Sequence, residues 1–565
     1  MIENPTFINF LISKKIVTEE DANALYNKFE NDAFAILYSL IKNRVAPRDS
    51  LGKLWADSLA VSFLDLKKTL FQRDIVKGLP EKTAREHKII PVYQMGGTVT
   101  VAMADPTRQD IIDEVKDILQ CFISPVFSFP EDIDSAIDIE YQTKEAIDNL
   151  VEELSIKKFE SVKNNASLEE MKILANEKVV LEFARSMFFL ALRERASDIH
   201  IEPAEEFFII RFRIDGILQE KFRLGISFFH PYVLHLKILA TLDIVERRRP
   251  QDGRINFKLS DRTVDIRFST VPTIYGEKVV MRLLDPLKAD LEPDLSSMDF
   301  SNDSLKKIKK IINTPHGSFL ITGPTGSGKT TTLYAILKEL NKPGVNIMTV
   351  EDPVEYRLPG INQVQVQPAI NLDFATVLRS FLRQDPDIIL VGEIRDIETA
   401  KIASQAALTG HLVLATLHTN SALQAIIRLN EIGVPSYLVA PSILGAMGQR
   451  LVRKICQNCI EKQEVSPEEI EKYFIWDGTT KIYFSKGKGC HLCNFTGYFG
   501  RIAIHEVCLV NDEIRSLISQ NAQIMEIEKC AMKYGFRNMR YDGFKKILRG
   551  LTTLEEINRV TLMDD

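Results

Sequence analysis

Residues 323–331 read Gly-Pro-Thr-Gly-Ser-Gly-Lys-Thr-Thr, and this stretch decides the fold of the chain around it. The apolar residues 318–321 precede it and predict a buried strand, and residues 332–337 predict a helix. A strand, a glycine-rich loop and a helix in this order are the context of a phosphate-binding loop, whose backbone N–H groups converge on phosphate oxygens. We therefore predict nucleotide contacts from the whole loop: Gly323, Pro324, Thr325, Gly326, Ser327, Gly328, Lys329, Thr330 and Thr331.

Two side chains of this loop have distinct predicted roles. Lys329 would reach the β- and γ-phosphates, and the Thr330 hydroxyl would ligate Mg²⁺. The alternative is a chance glycine-rich turn, but the Lys-Thr pair and the flanking strand and helix disfavour it.

Acidic residues after two predicted strands are candidate catalytic groups, because a nucleotide hydrolase needs a carboxylate near Mg²⁺ and a means of orienting water. Residues 388–392 predict a buried strand that ends at Glu393. In a parallel sheet this end opens on the same edge as the phosphate loop, so Glu393 is predicted to organise Mg²⁺ and polarise the attacking water. Glu351 and Glu355 follow another predicted strand, where Pro353 begins a turn. A solvated acidic loop explains that second cluster equally well.

Two histidines, His411 and His418, bracket the short predicted strand 412–417. About 20 Å of extended chain separates them, so they cannot share a metal ion. We predict that one of them senses the γ-phosphate or holds a water molecule, whereas a lone histidine is more often structural.

Four cysteines form two C-x-x-C pairs: Cys456, Cys459, Cys490 and Cys493. Four thiolates at such knuckles can close a tetrahedral zinc site, and four protein ligands make that site structural rather than catalytic. The gap between the pairs exceeds the usual spacing, so an insertion is expected there. Free thiols are the alternative.

Four arginines are candidates for stabilising charge on the γ-phosphate. Arg267 and Arg282 lie in predicted strands before the loop, and Arg379 and Arg383 precede the strand that ends at Glu393. Their spacing alone does not separate this role from ordinary surface ion pairs.

Length and composition indicate the number of domains and the class of protein. The 565 residues fit three to four domains, and the net charge of −6 does not suggest a nucleic-acid partner. No apolar run reaches the ~18 residues of a spanning helix, and no signal peptide is visible, so a cytosolic protein is expected. The predicted divisions are a helical module at 1–70, a small α/β module at 71–145, a linker at 146–176, an α+β domain at 177–285 and a final domain at 296–565. Strands of the α+β domain are expected near 207–214, 217–223, 263–269 and 277–284.

From about residue 177 onward the sequence resembles the secretion ATPase superfamily, the motors of type II secretion and type IV pili. The resemblance rests on motifs in the family's order. They are Ala-Ser-Asp-Ile-His-Ile-Glu-Pro at 196–203, Phe-Arg-Ile-Asp-Gly at 212–216, Pro-Gln-Asp-Gly-Arg at 250–254, the phosphate loop, the acidic cluster at 351–356, 382–387, 392–396, the histidine box at 409–420, Gln-Arg-Leu at 449–451, the four cysteines and Gly-Tyr-Phe-Gly-Arg at 497–501.

The resemblance implies an α/β fold. A RecA-like motor domain at 296–565, with a zinc subdomain at 451–505, would follow a PAS-like domain at 177–285. Residues 71–145 resemble the family's N-terminal α/β module. The resemblance further implies a homo-hexamer that hydrolyses ATP with Mg²⁺ and contains Zn²⁺. Arg501 joins the other arginines as a phosphate contact, and Glu355 becomes a second catalytic acid.

The implied partners are an inner-membrane platform protein, which would hold the cytoplasmic ring peripherally at the membrane, and other pilus or secretion components. The N-terminal modules favour a pilus assembly motor, and a type II secretion motor is the alternative. A nucleotide-gated scaffold without turnover and a nucleic-acid translocase are further alternatives. Some relatives bind cyclic di-GMP through Arg-Leu-Gly repeats, and residues 6–8 and 35–37 lack that Arg and Gly.

Overall fold

The computed structural model describes residues 4–561 apart from gaps at 30–31, 44, 68, 70, 142–175, 260–261, 285–293, 467 and 469–481. All but the last residue of the predicted linker at 146–176 lie outside the described residues. The chain divides into two compact units, Met1–Leu287 and Lys288–Asp565. No helix among the described residues combines the length and the apolar character needed to cross a bilayer.

The first part of the Met1–Leu287 unit joins a helical cluster to a four-stranded sheet of order β1-β4-β3-β2. Its helices are α1 Pro5–Ser13, α2 Glu19–Lys28, α3 Ala33–Lys42, α4 Arg48–Ser58, α5 Arg73–Gly78, α6 Glu81–His87, α7 Gln109–Leu119 and α8 Pro130–Glu140, and its strands are β1 Ser62–Phe63, β2 Ile89–Met95, β3 Thr98–Met103 and β4 Phe122–Phe127. Trp55 of α4 packs with Phe7 and with Phe127 of β4, so the helices and the sheet share a core.

The second part of the same unit is a six-stranded antiparallel sheet of order β7-β6-β5-β10-β9-β8, with two helices packed against it. The elements are α9 Lys178–Arg193, β5 Asp198–Pro203, β6 Phe207–Ile214, β7 Ile217–Gly225, α10 Ile226–Leu239, β8 Gln251–Lys258, β9 Thr263–Thr273 and β10 Gly276–Leu284. The four expected strands are present. The sequence did not predict β5 and β8, because charged residues alternate along them and Ile255 is the one buried residue of β8.

The Lys288–Asp565 unit is built on a seven-stranded sheet of order β13-β12-β14-β15-β11-β16-β19, in which β19 alone runs antiparallel to its neighbour. Its strands are β11 Gly317–Thr322, β12 Ile347–Glu351, β13 Asn362–Gln365, β14 Ile388–Val391, β15 Leu412–Leu417, β16 Ile443–Ile455, β17 Ile460–Glu464, β18 Tyr483–Gly487 and β19 Tyr498–Leu509. The separate pair β17–β18 is antiparallel.

Helices cover both faces of this sheet, which confirms the α/β class. They are α11 Asn302–Ile312, α12 Lys329–Leu340, α13 Phe374–Phe381, α14 Ile397–Leu408, α15 Ala422–Ile432, α16 Ser436–Ser442, α17 Asp512–Ser519, α18 Ile524–Lys533, α19 Met539–Leu548 and α20 Leu554–Val560. Alternate residues of each central strand enter different cores: Leu320 and Val413 pack on one face, and Phe319 and Leu414 on the other. Strands β11, β14 and β15 are therefore buried along their whole length, as their continuous apolar sequences predict.

The register of three parallel strands positions the site. Thr322, the last residue of β11, lies opposite Leu417 on β15 and Gly448 on β16. The next residues along the three strands, Gly323, His418 and Gln449, therefore follow at one level of the same sheet edge.

Candidate active site

The phosphate loop connects β11 to α12 in the predicted order. Gly323, Gly326 and Gly328 have φ values of 148°, 78° and 87°, a region that favours glycine. Gly328 caps α12, so the loop ends at the positive end of a helix dipole, which attracts anions. Residues 324–326 are exposed and accessible to a ligand.

Lys329 lies inside the curve of this loop. Its ammonium group donates to the carbonyl oxygens of Gly323 at 2.7 Å and Pro324 at 3.1 Å. Burial lowers the pKa of Lys329, and the negative charge of Glu393 opposes that shift. The Glu393 carboxylate therefore favours the charged form of the loop lysine.

Glu393 follows β14, one strand beyond β15 from the loop. Its side chain is 13% exposed and forms an ion pair with Arg395, and His418 Nε2 lies 3.4 Å from Glu393 Oε2. The structure thus brings together Lys329, Glu393 and His418, three of the residues that the sequence predicts for the site.

The sequence alone does not reveal a partly buried pair that connects the histidine box to the phosphate loop. The backbone N–H of Thr419 donates to Thr322 Oγ1 at 2.8 Å, and that hydroxyl lies 3.0 Å from the Leu417 carbonyl. Thr322 is fully buried and directly precedes Gly323. A displacement of His418 would therefore be transmitted to the phosphate loop through the hydrogen bond between Thr419 and Thr322.

His411 occupies the opposite edge of the sheet. It precedes the first residue of β15, and its carbonyl accepts from the N–H of Gly317, where β11 begins. Its Nδ1 lies 2.9 Å from the Ala406 carbonyl at the end of α14. Since β11 and β15 are parallel, a whole strand length separates His411 from the phosphate loop, and the structure does not bring it to the site.

Glu351, the last residue of β12, and Glu355 on the loop after it differ in their surroundings. Glu351 is 4% exposed and accepts hydrogen bonds from Tyr334, from Thr349 Oγ1 at 2.6 Å and from Gln363 Nε2 at 3.2 Å. Burial, and then the charge of Glu351, raises the pKa of Tyr334, so this phenol stays protonated and donates. Glu351 thus connects β12 to α12, whereas Glu355 is exposed on the following loop.

Two of the predicted arginines have partners away from the loop, and a third lies at a distance from it. Arg379 pairs with Glu398 on α14, and Arg383 Nη1 donates to the Arg379 carbonyl at 2.9 Å. Arg501 lies on β19 opposite Arg453, four residues beyond Gln449 along β16, or about 13 Å.

Arg267 and Arg282 lie together in the Met1–Leu287 unit. They are opposite each other on β9 and β10, and Arg254 on β8 is opposite Arg267 in turn. Three guanidinium groups in directly opposed positions repel one another. Asp198 on β5 compensates part of this charge, since Arg282 Nε donates to it at 3.1 Å. The row lines a cavity of about 420 Å³, and a bound anion would stabilise it. Sequence analysis did not select Arg254, because only strand pairing places it in this row.

The four predicted metal ligands meet between the ends of β16, β17 and β18. All four sulfur atoms lie within 4.8 Å of one another, and the separations Cys456–Cys490, Cys459–Cys493 and Cys490–Cys493 are 3.8, 3.9 and 3.8 Å. A zinc tetrahedron with Zn–S bonds of about 2.3 Å has sulfur atoms about 3.8 Å apart. Backbone N–H groups of Gly489 and Gly497 donate to Cys459 and Cys493 at 3.3 Å, which favours thiolates. The donor set fits zinc in a closed, structural site.

Comparison with known proteins gives two family matches. The model of the Type II/IV secretion system protein family matches residues 174–559, and that of the MshEN domain matches residues 59–147. The chain is 38% identical to the type IV pilus assembly ATPase PilB of Myxococcus xanthus over 97% of both chains. It is 43% identical to the type II secretion system protein E of Xanthomonas campestris over 86% of this chain and 85% of that one.

Among solved structures, the ATPase DotB of Yersinia pseudotuberculosis is similar, with a TM-score of 0.50 and 19% identity over 68% of this chain and 94% of that one. This likeness concerns the fold alone, and it agrees with the predicted RecA-like domain.

A first prediction concerns Glu393. Replacing it with glutamine removes the carboxylate beside Lys329 but keeps the side-chain volume, so we expect kcat for ATP hydrolysis to fall about 10²- to 10⁴-fold with KM nearly unchanged. Steady-state phosphate release measures both constants. Glu431→Gln is the matched control, because this carboxylate pairs with Arg428 on the exposed face of α15. Equal kcat for Glu393→Gln and the parent would exclude Glu393 as the catalytic carboxylate.

A second prediction concerns the cysteines. Cys493→Ser should reduce bound zinc from about one ion per chain to a small fraction, because three thiolates hold zinc far less tightly than four. Metal analysis of the purified protein by mass spectrometry gives the zinc content. Cys121→Ser, outside the cluster, should retain the metal. Full zinc content in Cys493→Ser would contradict the assignment.

Proposed function

This chain belongs to the Type II/IV secretion system protein family, and we propose that it is the ATPase motor that drives assembly of type IV pili. It is an ATPase that uses ATP and Mg²⁺, and its four-cysteine cluster is a zinc site. The observation that carries the proposal is the placement of Lys329, Glu393 and His418 at one sheet edge beside the phosphate loop.

Each part of the site has a proposed task in hydrolysis. The loop N–H groups and Lys329 bind the phosphates, and the exposed Thr330 hydroxyl in the first turn of α12 would hold Mg²⁺. Bound Mg²⁺ neutralises charge on the phosphate oxygens. Glu393 orients the attacking water and accepts its proton, and His418 fixes the Glu393 carboxylate.

The remaining predicted residues lie outside this group of three. Glu355 is exposed on the loop after β12, and we propose that it is the second catalytic acid. Arg267 and Arg282 supply guanidinium groups for phosphate oxygens, as their unfavourable mutual opposition suggests. Arg379, Arg383 and Arg501 stay candidate phosphate contacts. His411, at the opposite sheet edge, is assigned to no step.

The machine around the motor is also part of the proposal. We propose a cytoplasmic homo-hexamer that acts on an inner-membrane platform protein together with other pilus components. Each subunit would have the domain boundaries that the sequence predicts. Alignment with the pilus assembly relative extends over 97% of this chain, whereas alignment with the secretion relative covers 86%. The longer alignment favours pilus assembly over type II secretion.

A gene deletion tests the pilus assignment. Loss of surface pili with normal protein export, restored by the wild-type gene and not by the Glu393→Gln gene, is the expected result. Electron microscopy counts the pili, and the culture supernatant reports export. Lost export with intact pili would instead assign the chain to type II secretion. A Glu393→Gln gene that restores pili would favour a nucleotide-gated scaffold.

A further inference from the structure

We propose that Gln449 is a positioning residue of the phosphate loop, whose carboxamide fixes the Ser327–Gly328 peptide so that the Gly328 N–H faces the bound phosphates. The inference rests on the proposed nucleotide site and adds to it a residue from a distant strand.

Strand pairing places Gln449 beside the loop. β16 runs parallel to β11, with Gly448 opposite Thr322, so Gln449 is level with Gly323, the first loop residue. Its side chain is 1% exposed, so it lies out of solvent and must form its hydrogen bonds within the protein.

Both ends of the Gln449 carboxamide are hydrogen-bonded. Its Nε2 donates to the Ser327 carbonyl at 2.8 Å, and its Oε1 accepts from Thr332 Oγ1 at 2.8 Å. Thr332 is fully buried in the first turn of α12. The reversed amide would place an oxygen against the Ser327 carbonyl, so the chemistry of the partners fixes this orientation.

Because a peptide group is planar, this contact fixes the orientation of the Ser327–Gly328 peptide in the loop. In a trans peptide the carbonyl of one residue and the N–H of the next point in opposite directions. Holding the Ser327 carbonyl toward β16 therefore turns the Gly328 N–H away from β16. The dipole of this N–H, at the start of α12, then favours negative charge on that side.

Two of the loop glycines pack closely against Gln449. A Cβ atom on Gly328 would lie 2.8 Å from Gln449 Nε2, and one on Gly323 would lie 2.3 Å from the Gln449 carbonyl oxygen. Both separations are too short for real contacts. Gln449 and the two glycines therefore form one packed unit, in which the loop closes against β16.

Equilibrium binding of MgADP to the full-length protein, measured by titration calorimetry, tests the proposal. Gln449→Met keeps the volume and removes both hydrogen bonds, and we expect Kd to rise about 10-fold. Gln449→Glu keeps the acceptor for Thr332 but places a carboxylate oxygen against the Ser327 carbonyl, so a larger rise is expected. In ATP hydrolysis KM should rise more than kcat falls.

A matched control separates positioning from stability. Thr552→Val removes another hydrogen bond from a buried residue onto β16, from Thr552 Oγ1 to the Arg453 carbonyl at 2.8 Å. It should lower the melting temperature while Kd for MgADP stays within about 2-fold of the parent. If Thr552→Val weakens binding as much as Gln449→Met, general loss of stability explains both and the proposal fails.

The outcomes also separate this inference from the proposed function. If the parent binds MgADP and the Gln449→Met variant binds it equally tightly, only the proposed role of Gln449 is overturned. A parent that does not bind MgADP overturns the nucleotide site itself. If Gln449→Met does not fold, Thr332→Val decides, because it removes only the bond that orients the carboxamide. A Kd about 3-fold higher supports the proposal, and an unchanged Kd contradicts it.

Discussion

The site depends on the register of β11 between β15 and β16. Thr322 lies opposite both Leu417 and Gly448, and this one alignment brings the phosphate loop, the histidine box and Gln449 to the same level. A slip by one residue would turn every side chain of β11 to the other face. The cores on the two faces, which alternate residues of β11 enter, oppose such a slip.

Buried polar contacts then convert this register into a defined loop shape. Thr322 and Thr419 hydrogen-bond across the ends of β11 and β15, and Glu351 connects β12 to Tyr334 on α12. An unsatisfied buried polar group costs about 1–3 kcal/mol, so these contacts strongly favour one arrangement. A rigid frame of this kind suits catalysis, because the groups that bind phosphate need no rearrangement when charge develops.

Local sequence signals were enough to predict where in the fold the loop, Glu393 and the four cysteines lie. Each depends on a short spacing or on one strand with its following residue, as in residues 323–331 and the two C-x-x-C pairs. Contacts between distant residues were not predictable in this way. The partners Thr322–Thr419 and Gln449–Ser327 are 97 and 122 residues apart, and the opposition of Arg254 and Arg267 appears only once β8 and β9 pair. Strand direction explains His411, which the sequence grouped with His418 although it precedes the strand.

Above all, we propose that the loop at 323–331 binds ATP for hydrolysis and that the Lys329 ammonium group supplies the positive charge next to the phosphates. The most direct test is phosphate release at saturating MgATP by the full-length parent and by Lys329→Ala. The account predicts turnover by the parent and at least about 100-fold slower release by the variant, because Lys329 is the one basic residue among residues 323–331. Equal rates, or a parent without turnover, would contradict it.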